Sequence, residues 1–449
     1  MTLRFLAIAV IAISAWTDLA RAGEPEAAPA DDVTSVRVLT LAQALRSARA
    51  RQPALAVARS NVVTAVGAAE QARAALLPQL NGQASYARGT NNYVPSPGGS
   101  NPNSSAAPVS SFQTYAKWNV GLSASQMIYD FGETINKWKA AQVNADASEE
   151  SVHITEAQID YNTRFAFFTA RATKDLVDVA RETLANQEKH LAQVKGFVEV
   201  GTHPAIDLTQ ARADRATAEL QLITADNNYA LARATLNQAM GVERSIEYDL
   251  SDDECPPVEG EDGTVDGLVD EAKQKRPEML NLRLTMRSQE LSLQSARDMN
   301  WPSLGLSGSL NDAGPEIDRT AWNFSGIVSL GIPLIQGGSI RAQIHQAEGQ
   351  LAQSQAQVES QRLQVRLDVE QARLSIRAAK ASIISAAEAL SNFRDRLRLA
   401  EGRYQAGVGN MIELGDAQVA VTNAAAQSVQ SEYQLYIARA QLLKATGRK

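Results

Sequence analysis

Two hydrophobic periods alternate along this chain. In AWNFSGIVSLGIPL (321–334) the even positions are Trp322, Phe324, Gly326, Val328, Leu330, Ile332 and Leu334, while the odd ones are mostly Asn, Ser and Gly. KWNVGLSASQ (117–126), QLNGQASYA (79–87) and SLGLSGSL (303–310) alternate in the same way. A period of two predicts strands with one apolar and one polar face, here over 79–88, 115–128, 303–311 and 321–334. That alternation fits a half-buried soluble sheet or the strands of a transmembrane β-barrel.

Elsewhere the period is helical. Ile344, Leu351, Val358 and Val365 recur every seven residues among Gln, Ala, Ser, Arg and Glu. This is the narrow seam of a coiled coil with polar flanks, suited to a wall with water on both sides. Residues 133–195 contain neither Gly nor Pro; as one helix they would reach about 95 Å. Residues 205–240 are also free of both and would reach about 54 Å. The expectation is a long helix over 133–198 returning as 204–240, and another over 338–403 returning as 410–446. A leading helix over about 41–75 or 266–300, stacked end to end on the return helix, would match each long one.

The chain repeats itself. GTHPAIDLTQARAD (201–214) and GVGNMIELGDAQVA (407–420) share a glycine, an acid six positions on and Ala at ten. ARARQPALAVARSN (48–61) aligns with AKQKRPEMLNLRLT (272–285), Pro53 on Pro277. ARAALLPQL (72–80) aligns with ARDMNWPSL (296–304), and ARATLNQAMG (232–241) with ARAQLLKATG (438–447). A tandem duplication of a roughly 200-residue unit accounts for this: a first repeat over 23–245, an acidic linker over 246–264 and a second repeat over 265–449. The linker acids read as solvated, and Cys255 among them as a bystander.

Arg4, the apolar run FLAIAVIAISAW (5–16) and the cleavage-type triplet Ala20-Arg21-Ala22 predict a signal peptide over 1–22. A membrane anchor is the rival, but the run is short of the ~18 residues a span needs. No other long apolar run follows, so a membrane would be crossed by strands. Four strands cannot close a barrel, and eight fill their own interior. Three chains with twelve strands are therefore the expected assembly. The segment RGTNNYVPSPGGSNPNSSAAPVSS (88–111) reads as a surface loop. Tyr86, Tyr93, Tyr115, Trp118 and Trp322 lie near strand ends, where an aromatic girdle would sit.

LTLAQALRSARARQPAL (39–55), ARAALLPQL, MIYDFG (127–132), the two tips and ARATLNQAMG resemble the TolC family of outer membrane efflux proteins. The likeness spans nearly the whole mature sequence. It implies a trimeric twelve-stranded β-barrel in the outer membrane, continued by an α-helical coiled-coil tunnel in the periplasm. It further implies an exit duct served by a periplasmic adaptor and an inner membrane pump of the RND or ABC type, for efflux or type I secretion. By that resemblance Glu413, Asp416 and Asp207 stand at the pore constriction. Val200, Gly201, Thr202, Gly407, Val408 and Gly409 stand at the adaptor-docking tip. The same acids could instead serve a helix N-terminus. Some family members carry a basic residue near the second tip, where this chain has Gly409 and Asn410; Arg403 or His203 could supply the closing link.

Composition removes other classes. The net charge is −7 over 449 residues, so no basic surface for nucleic acid is advertised. One cysteine permits no internal disulfide. His153, His190, His203 and His345 have no ligand spacing, and no P-loop or dinucleotide fingerprint occurs. No enzyme, metal or cofactor is expected, and energy would come from the pump. The rival from another class is a periplasmic coiled-coil adaptor or scaffold, which would share the hairpins but lack the strand pairs.

Overall fold

The computed structural model describes residues 38–90, 114–244 and 248–448. The expected signal peptide, Tyr93, the side chain of Tyr115 and most of the 88–111 loop lie outside the described residues.

Two halves follow the same series. The first runs β1 (Val38–Leu39), α1 (Leu41–Arg51), α2 (Pro53–Ala74), β2 (Gln79–Thr90), β3 (Thr114–Tyr129), α3 (Glu133–Glu199) and α4 (Ala205–Ala239). The second runs β4 (Asp249–Leu250), α5 (Val265–Lys275), α6 (Pro277–Asp298), β5 (Ser303–Gly314), β6 (Ala321–Gly331), α7 (Ser339–Gln405) and α8 (Met411–Thr446). The two long helices are 67 residues each, roughly 100 Å at 1.5 Å per residue.

Three expectations need correction. Each leading segment is two helices, not one. Gln52 and Arg276 are extended (ψ 118° and 125°) because each precedes a proline, whose ring disfavours helical geometry in the residue before it. β6 stops at Gly331 rather than 334, since Pro333 has no N–H for the ladder. The acidic linker is not a solvated tether. Tyr248, Leu250, Cys255, Val258 and Glu261 are buried. Leu250 pairs in parallel with Leu39, and Asp253 accepts from the backbone N–H of Leu41 at 2.6 Å.

α4 and α2 stack end to end, as do α8 and α6. The chain closes so tightly there that a Cβ on Gly241 would lie 2.8 Å from the Arg51 carbonyl, and one on Gly447 would lie 3.0 Å from that of Lys275. Towards the tips the helices pack in the order α4–α3–α8–α7; towards the sheet the order is α2–α3–α6–α7. Of the heptad positions on α7, Val358 and Val365 are buried; Ile344 and Leu351 pack against Leu293, Ala296 and Ala347. A second core at mid-height holds Phe167, Phe168, Leu236, Met240, Tyr433 and Tyr436. No described helix is long and apolar enough to cross a membrane.

Candidate functional site

The four long strands form one antiparallel sheet in the order β2–β3–β5–β6, with β2 and β6 at its edges. Its register gathers the even positions on one face. Gly82, Leu122, Leu310 and Phe324 make one row across it; Ala84, Val120, Asp312 and Trp322 make the next. The apolar side chains of this face are exposed: Trp322 at 73 %, Phe324 at 71 % and Leu80 at 71 %. The odd face is mostly hydroxyl and amide, with Met127 and Ile327 as large apolar exceptions. Asn81, Ser123, Ser309 and Ser325 form one of its rows, with the Ser309 and Ser325 hydroxyls 2.8 Å apart.

Both ends of the apolar face carry aromatic rings. At the far end Tyr86 and Trp118 pack at 4.7 Å. At the helix end a bulge between Met127 and Tyr129 shifts the register, so that Tyr129 opposes Leu304 and joins the apolar face. Tyr129 then meets Phe131 at 4.8 Å, and Phe131 stacks on Trp301 at 5.4 Å. Phe131 adopts φ 56°, left-handed for a bulky residue. Sequence alternation could not reveal this second cluster, because the bulge breaks the parity on which the reading depends.

At the other end of the molecule two turns close the hairpins. In the first, Gly201 (φ +82°) lets the Thr202 N–H return to the Phe197 carbonyl at 2.9 Å. In the second, Gly407 (φ +74°) lets the Val408 and Gly409 N–H groups reach the Arg403 carbonyl, each at 3.0 Å. A Cβ at either αL position would be strained. Val200 and Val408 project into solvent, 80 % and 70 % exposed, and Thr202 is exposed beside them.

The acids of the two tips are held differently. Asp207 is largely buried and lies 3.3 Å from His203 Nδ1. Glu413 is more open and faces Arg403 Nε at 3.5 Å. Asp416 is exposed and lines one groove with Asp207, Gln210 and Asp214; Glu413 does not line it. The cap of α8 is Asn410, whose Oδ1 accepts from the Glu413 N–H at 2.7 Å. Neither Glu413 nor Asp416 caps that helix with its side chain.

Sequence reasoning missed what lies behind these acids. Tyr404 of α7 is 3 % exposed and sits between two imidazoles, His203 at 5.0 Å and His190 at 5.6 Å. Phe197 stacks on His203 at 5.0 Å. The Tyr404 hydroxyl makes no hydrogen bond; burial, and then the charge of Asp207, push its ionisation up. Burial pushes the His190 pKa down, and Asp214 and Asp207 pull it part of the way back. His190 Nε2 lies 3.3 Å from the sulfur of Met411. No spacing rule joins residues more than 200 positions apart.

An amphipathic sheet continued by a layer of long helices defines a class of protein, the β-sheet with a long helical extension. The sequence profile of the outer membrane efflux protein family matches residues 44–242 and 268–448, so the chain belongs to that family. It resembles the outer membrane protein TolC of Escherichia coli, 25 % identical over 433 residues, with 91 % of this chain and 82 % of TolC aligned. It also resembles the probable outer membrane lipoprotein SilC of Salmonella typhimurium, 24 % identical, though that alignment spans 52 % of this chain and 51 % of SilC. A crystal structure of a membrane protein from Pseudomonas aeruginosa superposes with a TM-score of 0.80 at 20 % identity, covering 91 % of this chain and 93 % of that one. The chain is an outer membrane channel of an efflux system, and the family is one of ducts. The reading as a periplasmic adaptor or scaffold falls with that result.

Proposed function

We propose that three copies close into a passive exit duct, a twelve-stranded barrel in the outer membrane continued by a helical tunnel into the periplasm. The observation that carries this is the open sheet with unlike edges. β2 and β6 leave unpaired backbone groups at its two sides. The helical layer ends in unlike edges too. Ile206, Leu220 and Ile223 are exposed on α4; Leu367, Leu374 and Ile384 are exposed on α7. Unlike edges join head to tail, and such contacts form a ring when the rotation closes. Two copies would give eight strands and a filled interior; three give room for water. From Trp118 to Tyr129 the apolar face spans twelve residues, whose eleven rises make about 28 Å at a 40° strand tilt, which suits an apolar band of ~25 Å. The matching halves then arise by tandem duplication, and three copies of two hairpins surround the mouth with quasi-sixfold symmetry.

The hairpin turns are the surface for a periplasmic adaptor, through Val200, Gly201, Thr202, Gly407, Val408 and Gly409. An inner membrane pump of the RND or ABC type supplies the energy, and the duct itself catalyses nothing. Asp416, Glu413 and Asp207 line the constriction, with Arg403 holding Glu413 and His203 holding Asp207 in the resting state. Native mass spectrometry in detergent should give a trimer; a monomer or dimer would sink the twelve-strand arrangement. Gly201→Trp and Gly407→Trp should abolish transport at unchanged trimer level, and normal efflux by both would remove the docking assignment. Glu413→Ala with Asp416→Ala should lower cation selectivity in planar bilayers. Wild-type selectivity in that variant would leave the acids without a pore role.

A further inference from the structure

The polar face of the sheet is almost free of charge. Along β2, β3, β5 and β6 the residues charged at neutral pH are Arg88, Lys117 and Asp312. Arg88 and Asp312 occupy even positions and belong to the apolar face, where Arg88 donates to the Thr114 hydroxyl at 2.9 Å and Asp312 accepts from the Thr320 hydroxyl at 2.9 Å. That leaves Lys117, at an odd position opposite Ala87, exposed and without an ion pair among the described residues. Below it the face runs through Asn119, Gly121, Ser123 and Ser125 of β3, and Asn311, Ser309 and Ser307 of β5. Such groups donate and accept equally and do not discriminate by sign of charge.

We propose that Lys117 is the charge-selecting residue of the outer half of the duct. The inference rests on the reading above, in which the polar face lines the lumen. β3 enters the sheet at its far end and leaves it towards α3, so Lys117 stands near the outer mouth, remote from the acids of the tips. Three copies form a ring of ammonium groups on a low-dielectric wall, which favours anions locally and opposes the acidic tips. The neighbouring segment 91–113 contains no charged residue. The β5–β6 turn contributes Glu316, Asp318 and Arg319, and Glu316 and Arg319 neutralise one another at 3.4 Å. Asp318 is then the one acid that Lys117 must outweigh. Efflux cargo that has passed the acidic tips therefore meets a filter of opposite sign at the outer mouth, reached through a barrel segment lined by hydroxyls and amides.

The test uses the full-length trimer in planar bilayers under a salt gradient. Lys117→Glu should raise the cation-to-anion permeability ratio about twofold at low ionic strength, and less at high salt because the Debye length shrinks. Lys117→Gln should fall between the two, and Asp318→Asn should move the ratio the other way. Lys117→Cys, in a Cys255→Ser background, should react with a charged methanethiosulfonate, and a cationic adduct should restore the wild-type ratio. Reaction without any change in selectivity overturns the role of Lys117 and leaves the duct reading standing. No reaction, in trimers that insert and conduct, overturns the duct reading, because the polar face is then not the lumen.

Discussion

The seam between α3 and α8 is built twice, in different chemistry. At mid-height it is crowded and charged. Phe168 meets Tyr436 at 5.2 Å. The Tyr433 hydroxyl donates to Asp175 at 2.6 Å and accepts from Arg171 at 3.0 Å. Nearby, Arg439 donates to both oxygens of Glu261 at 3.1 Å and to the Cys255 carbonyl at 2.7 Å. Towards the tips the same seam carries single polar pairs, Thr183 with Thr422 at 3.2 Å, Gln187 with Gln418 at 2.9 Å and His190 with Met411, followed by a small apolar cluster of Val194, Met411, Leu414 and Ala417. Gln187 Oε1 is buried without a partner. Two open grooves flank this stretch, and both are lined by Thr183, Gln187, Gln418 and Thr422. Packing on both sides of a contact is what resists separation. The mid-height seam combines large rings with paired charges, whereas the lower one has a smaller apolar cluster around Val194, Tyr404 and Leu414 with grooves on its flanks, so the tips are expected to part before the equator does.

The largest effect should come from breaking the pinned end. Arg439→Met leaves Glu261 buried with Lys380, 2.8 Å away, as its remaining cation and the Val258 N–H, at 3.0 Å, as a further donor. Removing one partner from a buried ion pair costs about 3–5 kcal/mol. Chemical denaturation should report that loss, and Glu261→Gln in the same chain should recover part of it. A change below 1 kcal/mol would mean the cluster is solvent-screened and the equator is not specially pinned.

Acid should separate the two ends in order. Burial alone would raise the Glu261 carboxyl; hydrogen bonds from Arg439 and Lys380 more than offset this and hold it at about 2. Hydrogen bonds from Arg448 and Lys275 likewise hold Glu271 at about 2. Depressed carboxyls contribute stability above their unfolded value near 4.5, and lose it as pH falls towards 2. His190 behaves differently. Its pKa is lowered by burial, so the packed tip is fully stable only above the unfolded value of about 6.5 and weakens as pH falls below it. The charged groups near it are Asp207 and Asp214 of α4, Glu401 and Arg394 of α7, and Lys189 of its own helix. Hydrogen exchange, corrected for intrinsic rate, should rise at 183–197 between pH 7 and 5 while 433–442 stays protected. His190→Gln should abolish the early rise. Simultaneous loss at both ends would contradict the two-chemistry seam.

Much of this was legible before folding. Strand faces, hairpins and tips follow from period and from Gly and Pro placement, because those signals are local. Breaks at Gln52–Pro53 and Arg276–Pro277 were also written in the sequence, yet the surrounding helical periodicity masked them. The linker's packing is not visible in its own sequence because its acids are paired by distant bases, as Glu261 is by Arg439. The tip cluster of His190, Tyr404 and Met411, and the row of Tyr129, Phe131 and Trp301, depend on contacts between elements far apart in the chain. No local pattern encodes them.

The smallest test compares the two tips directly. Both return helices start after an αL glycine, but their caps differ. Asn410 satisfies the Glu413 N–H with its side chain, whereas Pro204 occupies the matching position with no side-chain cap. Asn410→Ala should cost about 1 kcal/mol, read as faster exchange confined to the first turn of α8. Pro204→Asn should gain a cap of that size and lose about 0.4–1 kcal/mol of chain stiffness, for a net effect near zero. Arg403 lies beside Glu413 in either case, so loss of the Asn410 cap should not by itself release the acid. If Asn410→Ala frees Glu413 and alters channel selectivity as strongly as Glu413→Ala does, the cap and the ion pair act as one unit, and the second tip is ordered by its charge rather than by its backbone turn.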